Sequence, residues 1–202
     1  MKFLCKLFSS RCQLTTLRLD ISKELTGGMI HRYLASNSYL CQHQSCSITL
    51  RHLFIRLKHT SVLENIIQHV PNLEQISVQF DSSLVLDPLW KSHIETLKNS
   101  NGNWFNKVPK LRYLSLQTYI NEDLEFIYLK WFLNNLNYIE RLRLYLKSGK
   151  LNENRCQKIW KSFIDANFIR EYCLPDTISN LIYFNFYICS ECQLSFNDIE
   201  KI

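Results

Sequence analysis

Leu111-Arg112-Tyr113-Leu114-Ser115-Leu116 sets three apolar residues at the spacing Leu-x-x-Leu-x-Leu, and that spacing decides the fold. Five other stretches repeat it: Leu14/Leu17/Leu19, Leu50/Leu53/Ile55, Leu73/Ile76/Val78, Ile139/Leu142/Leu144 and Leu181/Phe184/Phe186. The last part of each copy has period two, which in a strand sends alternate side chains to opposite faces. Leu57, Phe80, Leu146 and Ile188 carry the alternation one step further in four copies. Stretches between copies have helical periodicity, so the unit is strand, loop, helix, repeated. Such a unit cannot bury its apolar face alone and has to stack on its neighbours. The expected fold class is α/β: a leucine-rich-repeat-like solenoid, with a curved parallel sheet of about six strands and helices on the convex side. Sequential strands joined by helices should be parallel neighbours, connected in the right-handed sense.

Strands are expected over residues 17–21, 53–57, 73–80, 142–146 and 184–188, with a further one following Val108-Pro109. In Val70-Pro71 and Val108-Pro109 the proline suits a strand entry, where no ladder donor is required. A helix is expected from Ser61, because Leu63, Ile66, Ile67 and Val70 fall on one helical face. Asp87-Pro88 opens another, burying Trp90, Ile94 and Leu97. Asn121-Glu122-Asp123 opens a third, with Leu124, Ile127, Tyr128, Trp131 and Phe132 as its apolar face. A long helix over 154–172, burying Cys156, Ile159, Trp160 and Phe163, is expected to end at Leu174-Pro175. A short helix over 29–34 and a polar loop over 35–47 complete the pattern. The copies begin 36, 23, 38, 28 and 42 residues apart, whereas regular leucine-rich repeats recur every ~20–29 residues, so the array is irregular.

At 202 residues and 46% hydrophobic, the chain can bury a substantial core as one domain spanning 1–202. Only 4 Gly and 4 Pro leave little material for a flexible linker. In Met1-Lys2-Phe3-Leu4-Cys5-Lys6-Leu7-Phe8 a lysine interrupts the apolar stretch and Arg11 follows, which does not fit a secretory leader. The apolar stretch 124–136 contains Glu125, Lys130, Asn134 and Asn135 and is too short and too polar to span a bilayer. A chain without membrane attachment is expected. Eight cysteines at scattered spacings fit reduced thiols in a cytoplasmic or nuclear protein better than a disulfide framework.

Cys189-x-x-Cys192 is the most suggestive site motif, but a tetrahedral zinc site needs two further thiolates or imidazoles. Cys41-x-His43-x-x-Cys46 lies at the opposite end of the proposed array. The histidines, His31, His43, His52, His59, His69 and His93, form no His-Glu-x-x-His pattern. There is no Gly-rich phosphate loop and no Gly-x-Ser-x-Gly turn. The expectation is a non-enzymatic chain with no cofactor and no metal. What remains is a surface. If Leu, Ile and Phe alternate inward, the residues between them face the open side of the sheet. On successive strands these are Arg18 and Asp20; Phe54, Arg56 and Lys58; Ser77 and Gln79; Ser115 and Gln117; Arg143, Tyr145 and Lys147; Asn185 and Tyr187. Five basic groups against one acid, with aromatic and Arg anchors, point to an acidic protein partner. A net charge of +6 and a pI near 8.9 are too moderate, and too dispersed, to favour nucleic acid. A basic nucleic-acid-binding solenoid and a structural remnant without a dedicated partner are the alternatives.

The wording Cys12-Gln13-Leu14-Thr15-Thr16-Leu17-Arg18-Leu19, His69-Val70-Pro71-Asn72-Leu73-Glu74-Gln75, Lys107-Val108-Pro109-Lys110-Leu111-Arg112-Tyr113-Leu114 and Ile164-Asp165-Ala166-Asn167-Phe168-Ile169 resembles the irregular leucine-rich-repeat region of F-box domain-containing proteins. The resemblance implies that the repeats select a substrate for a cullin ubiquitin ligase. It also implies a Skp1-type adaptor as partner, but only where an F-box is present. No F-box-like helical segment precedes Leu14, so the chain is expected to be a fragment lacking that module.

Overall fold

A computed structural model of the chain describes residues 11–21, 47–57, 60–84, 107–136, 138–148, 164–177 and 179–190. Each apolar copy forms a strand: β1 (Thr16–Asp20), β2 (His52–Leu57), β3 (Gln75–Ser83), β4 (Tyr113–Ile120), β5 (Arg141–Ser148) and β6 (Tyr183–Ser190). They make one open, all-parallel sheet in the order of the sequence. The expected parallel neighbours are therefore present. Three helical elements are described: α1 (Thr60–Ile67), α2 (Asp123–Asn134) and the short α3 (Ala166–Phe168), which runs into a π-helical turn at Ile169–Cys173. The expected helices at 29–34 and from Asp87, and the loop at 35–46, lie outside the described residues.

Register follows the motif. Leu17, Leu53, Ile76, Leu114, Leu142 and Phe184 are partners in one cross-strand row; Leu19, Ile55, Val78, Leu116, Leu144 and Phe186 form the next. On β2 to β5 both rows are buried, and they pack with Val62, Leu63, Ile66 and Ile67 of α1 and Phe126, Leu129, Phe132 and Leu133 of α2. On the outermost strands the same positions are less covered: Leu19, Phe184, Phe186 and Ile188 are half-buried. In β4 the next inward slot belongs to Thr118, whose buried hydroxyl donates to the Tyr119 carbonyl at 3.1 Å.

In three copies the first apolar residue closes the turn before the strand. Leu73, Leu111 and Ile139 donate their N–H to the carbonyls of Val70, Val108 and Leu136, at 3.1, 3.0 and 3.3 Å. Pro71 and Pro109 therefore occupy the second place of a four-residue turn, where a fixed φ is favourable, and β3 starts at Gln75 rather than at Leu73. One carbonyl per copy then accepts two N–H groups from the following copy. Thr15 receives Arg51 and His52, Arg51 receives Glu74 and Gln75, and Glu74 receives Arg112 and Tyr113. Arg112 receives Glu140 and Arg141, and Glu140 receives Ile182 and Tyr183, all five pairs at 2.8–3.1 Å.

Helix α2 starts at Glu122, and it is the buried Glu125 whose carboxylate accepts the backbone N–H groups of Asn121 and Glu122. A carboxylate there also meets the positive end of the helix. The helix expected over 154–172 is corrected: Asp165 is extended and its side chain accepts the Phe168 N–H at 2.8 Å. An Asp that caps its own following turn starts a new helix rather than continuing an old one. Residues 154–163 of that expectation lie outside the described set. The new segment is pinned to α2 by Lys130, whose ammonium donates to the carbonyls of Arg170 (3.0 Å) and Leu174 (2.6 Å) and pairs with Asp176 at 2.7 Å. Phe168 meets Phe126 edge-on, with ring centroids 5.4 Å apart.

Truncating a fully buried row residue leaves a cavity between packed strands. Leu114→Ala is expected to lose about 2–5 kcal/mol in denaturant unfolding. Leu14, 43% exposed although it leads the first copy, should lose less than about 1 kcal/mol on the same change. Burial also pushes the His69 imidazole below its ordinary 6.5. The unfolded chain then takes up a proton before the folded one does. Stability is full above pH 6.5 and falls as pH drops through 6.5 toward the lowered folded value. Thermal unfolding of wild type should show that acid-side loss, and His69→Gln should flatten it.

Candidate functional site

Residues opposite the buried rows form rows of their own on the open face. Arg18, Phe54, Ser77, Ser115, Arg143 and Asn185 are register partners; so are Asp20, Arg56, Gln79, Gln117, Tyr145 and Tyr187. Every expected face residue among those described is thus brought onto one surface, and Lys58 lies outside the described set. A third row went unread in the sequence: Thr16, His52, Gln75, Tyr113, Arg141 and Tyr183. Its signal was present. Each of these residues immediately precedes the second apolar position, so extending the alternation one residue backward finds it. Beyond the Tyr145 row, Lys147 stands between Tyr119 and Cys189.

The two halves of the face differ in electrostatics. On the β1–β3 side Arg56 is engaged by two carboxylates, Asp20 at 3.6 Å and Asp81 through a short contact from Nε. The hydrogen bond to Asp81 is the main reason that the Arg56 guanidinium holds its proton more tightly than usual. Asp81 escaped the sequence reading because the strand was expected to end at Phe80, one residue short, whereas β3 runs on to Ser83 and the alternation of Ser77 and Gln79 continues to Asp81. Arg56 is therefore already paired within the fold, and its charge is largely neutralised before any partner arrives.

On the β4–β6 side no acid stands in these rows among the described residues. Arg141, Arg143, Tyr145 and Lys147 alternate along β5, roughly 6.6 Å apart from one to the next. Tyrosines flank them on both neighbours. The Arg143 guanidinium carbon lies 5.9 Å from the Tyr183 ring centroid and Lys147 Nζ lies 5.7 Å from that of Tyr119. Tyr145 and Tyr187 pair at 5.6 Å with a 40° tilt. Asn185 Nδ2 donates to Tyr183 Oη at 3.3 Å. The Tyr183 phenol is held below its ordinary range by that Asn185 bond and by Arg143, and Arg143 in turn is raised chiefly by Tyr183. Arg143 Nε is shielded from solvent and has no hydrogen-bond partner.

Cations laid on tyrosine rings, with amide and hydroxyl donors between them, are side-chain types that concentrate at protein interfaces. Among the described residues no three His, Cys, Asp or Glu side chains gather as a metal site, and Cys192 lies outside them. Cys12, Cys173 and Cys189 are free thiols, and burial pushes Cys173 up to about 12, so it stays protonated and unreactive. No helix among the described residues is long and apolar enough to cross a membrane. Comparison of the chain with protein-family models, curated proteins and solved structures found no match.

Because Asn185 is the first cause of the Tyr183 shift, Asn185→Ala should move one phenol of the ultraviolet phenolate titration back toward 10.0. Tyr183→Phe should remove that early phase altogether. An unchanged titration in both variants would dissolve the Asn185–Tyr183–Arg143 arrangement.

Proposed function

We propose that the chain is a non-enzymatic protein-recognition domain, an irregular leucine-rich-repeat-like solenoid over 1–202 whose partner docks on the open face of the sheet. The observation that carries this reading is the β4–β6 surface, where Arg141, Arg143 and Lys147 lie among five tyrosines with no acid in their rows. Arg and Tyr are the side chains in which binding energy concentrates at protein interfaces. Their positions are held by the rigid sheet, and parts of them by one another, so little ordering cost remains at docking. The resemblance to the repeat region of F-box proteins extends the proposal: such a face would select the substrate of a ubiquitin ligase. Contact with a Skp1-type adaptor would then require an F-box module. A cytoplasmic or nuclear location fits that role.

The test is a photo-crosslinking amino acid placed at Gln117, on the face beside Tyr145, in the full chain expressed in cells. Protein adducts that resist nuclease and disappear when Arg143, Tyr145 and Tyr187 are all changed to Ala are the expected result. The same adducts from wild type and triple variant, or none from either, would contradict the assignment of this face.

A further inference from the structure

We propose that the β5 cation row reads an extended acidic segment of the partner, with the pattern acidic-x-apolar-x-acidic. The inference rests on the open face being a protein-docking surface and adds the chemistry of what docks. Arg143 and Lys147 are four residues apart on one regularly paired strand, which separates them by about 13 Å. A peptide lying extended along β5 has the same rise, so its residues i and i+4 face the sheet at the same separation. Between the two cations stands the Tyr145–Tyr187 pair, an aromatic platform at the position that residue i+2 would cover. Arg141, two residues before Arg143 and exposed, adds a second cation near the first carboxylate.

Charge complementarity sets the occupant as acidic, and the placement of the rings sets it as a peptide rather than a polynucleotide. Arg143 and Lys147 already lie over Tyr183 and Tyr119, which leaves Tyr113 and, two rows away, the Tyr145–Tyr187 pair for stacking, whereas a single-stranded nucleic acid uses successive rings. A polyanion continuing across the sheet would also run onto Asp20 and Asp81. A short segment with two carboxylates fits the basic row and ends where the row ends.

The experiment measures fluorescence anisotropy of a labelled Gly/Ser-framed peptide with the core Glu-Thr-Leu-Thr-Glu on the full chain. Its comparators are an isomer with the two glutamates adjacent, the two peptides with one Glu replaced by Lys, and a short oligouridine. The proposal predicts saturable binding of the spaced peptide, about tenfold or more tighter than its isomer and than oligouridine. Lys147→Ala should weaken it about tenfold, and Arg170→Ala, an exposed cation of the π-helical turn away from the face rows, should leave it unchanged. Lys147→Glu should reverse the preference, toward the Lys-containing peptide that meets the new charge. That variant gains binding, so a lost fold cannot mimic it; circular dichroism checks the others. Equal binding of spaced and adjacent isomers, preference for oligouridine, or no binding of any acidic peptide would overturn the proposal. If the Gln117 crosslinks persist in that last case, the docking face stands and only its acidic reading falls. Loss of both removes the face itself.

Discussion

One carbonyl in each copy, on the residue just after its first apolar position, ties the sheet together by taking two N–H groups from the copy that follows. The bond pair recurs at Thr15, Arg51, Glu74, Arg112 and Glu140. Each such bond is worth only about 1 kcal/mol net, but its position matters more than its strength. It lies at the first residue of each pairing and fixes where the neighbouring strand begins. A slip of one residue would turn both leucine rows to water and the Arg and Tyr rows into the core. Register, hydrophobic burial and the composition of the open face therefore depend on the same contact. The side chains at these positions add a lesser support: Arg51 pairs with Glu74 at 2.9 Å and Arg112 with Glu140 at 3.2 Å, both at the surface.

Six strands, their parallel pairing and their inward leucines were legible because period two is a local property that tertiary packing did not override. Features that depend on the turn were not. Val70, Val108 and Leu136 are buried three residues before the motif, and only the turn's hydrogen bond explains why an apolar residue belongs there. Thr118 hid the continuation of β4, since a polar residue with a locally satisfied hydroxyl filled an inward slot. The expected long helix near the C-terminal end failed at Asp165, a residue type that reads equally well as an exposed helix position or as a cap. Glu125 was read as a polar interruption of the apolar stretch 124–136, whereas its burial and two backbone donors make it the residue that secures α2.

The candidate face was legible in half. Residue types on it were correct, but a count of charges could not show which were spent within the fold. Arg56 is held between Asp20 and Asp81, the second of which lies one residue past the expected end of its strand. Arg143 and Lys147 look no different from Arg56 in the sequence, yet the structure sets them on tyrosine rings with no carboxylate in their rows. The distinction between a cation paired with carboxylates and one laid on a ring thus comes from neighbours across the sheet, which a single strand does not reveal.

The most direct measurement is of trans-hydrogen-bond scalar couplings by NMR on the deuterated chain. Correlations from the Glu74 carbonyl to the amides of Arg112 and Tyr113, and from the Arg112 carbonyl to those of Glu140 and Arg141, are the predicted result. Couplings that pair these strands in the antiparallel sense, or at a register offset by one residue, would contradict the stacked copies and take the open face with them.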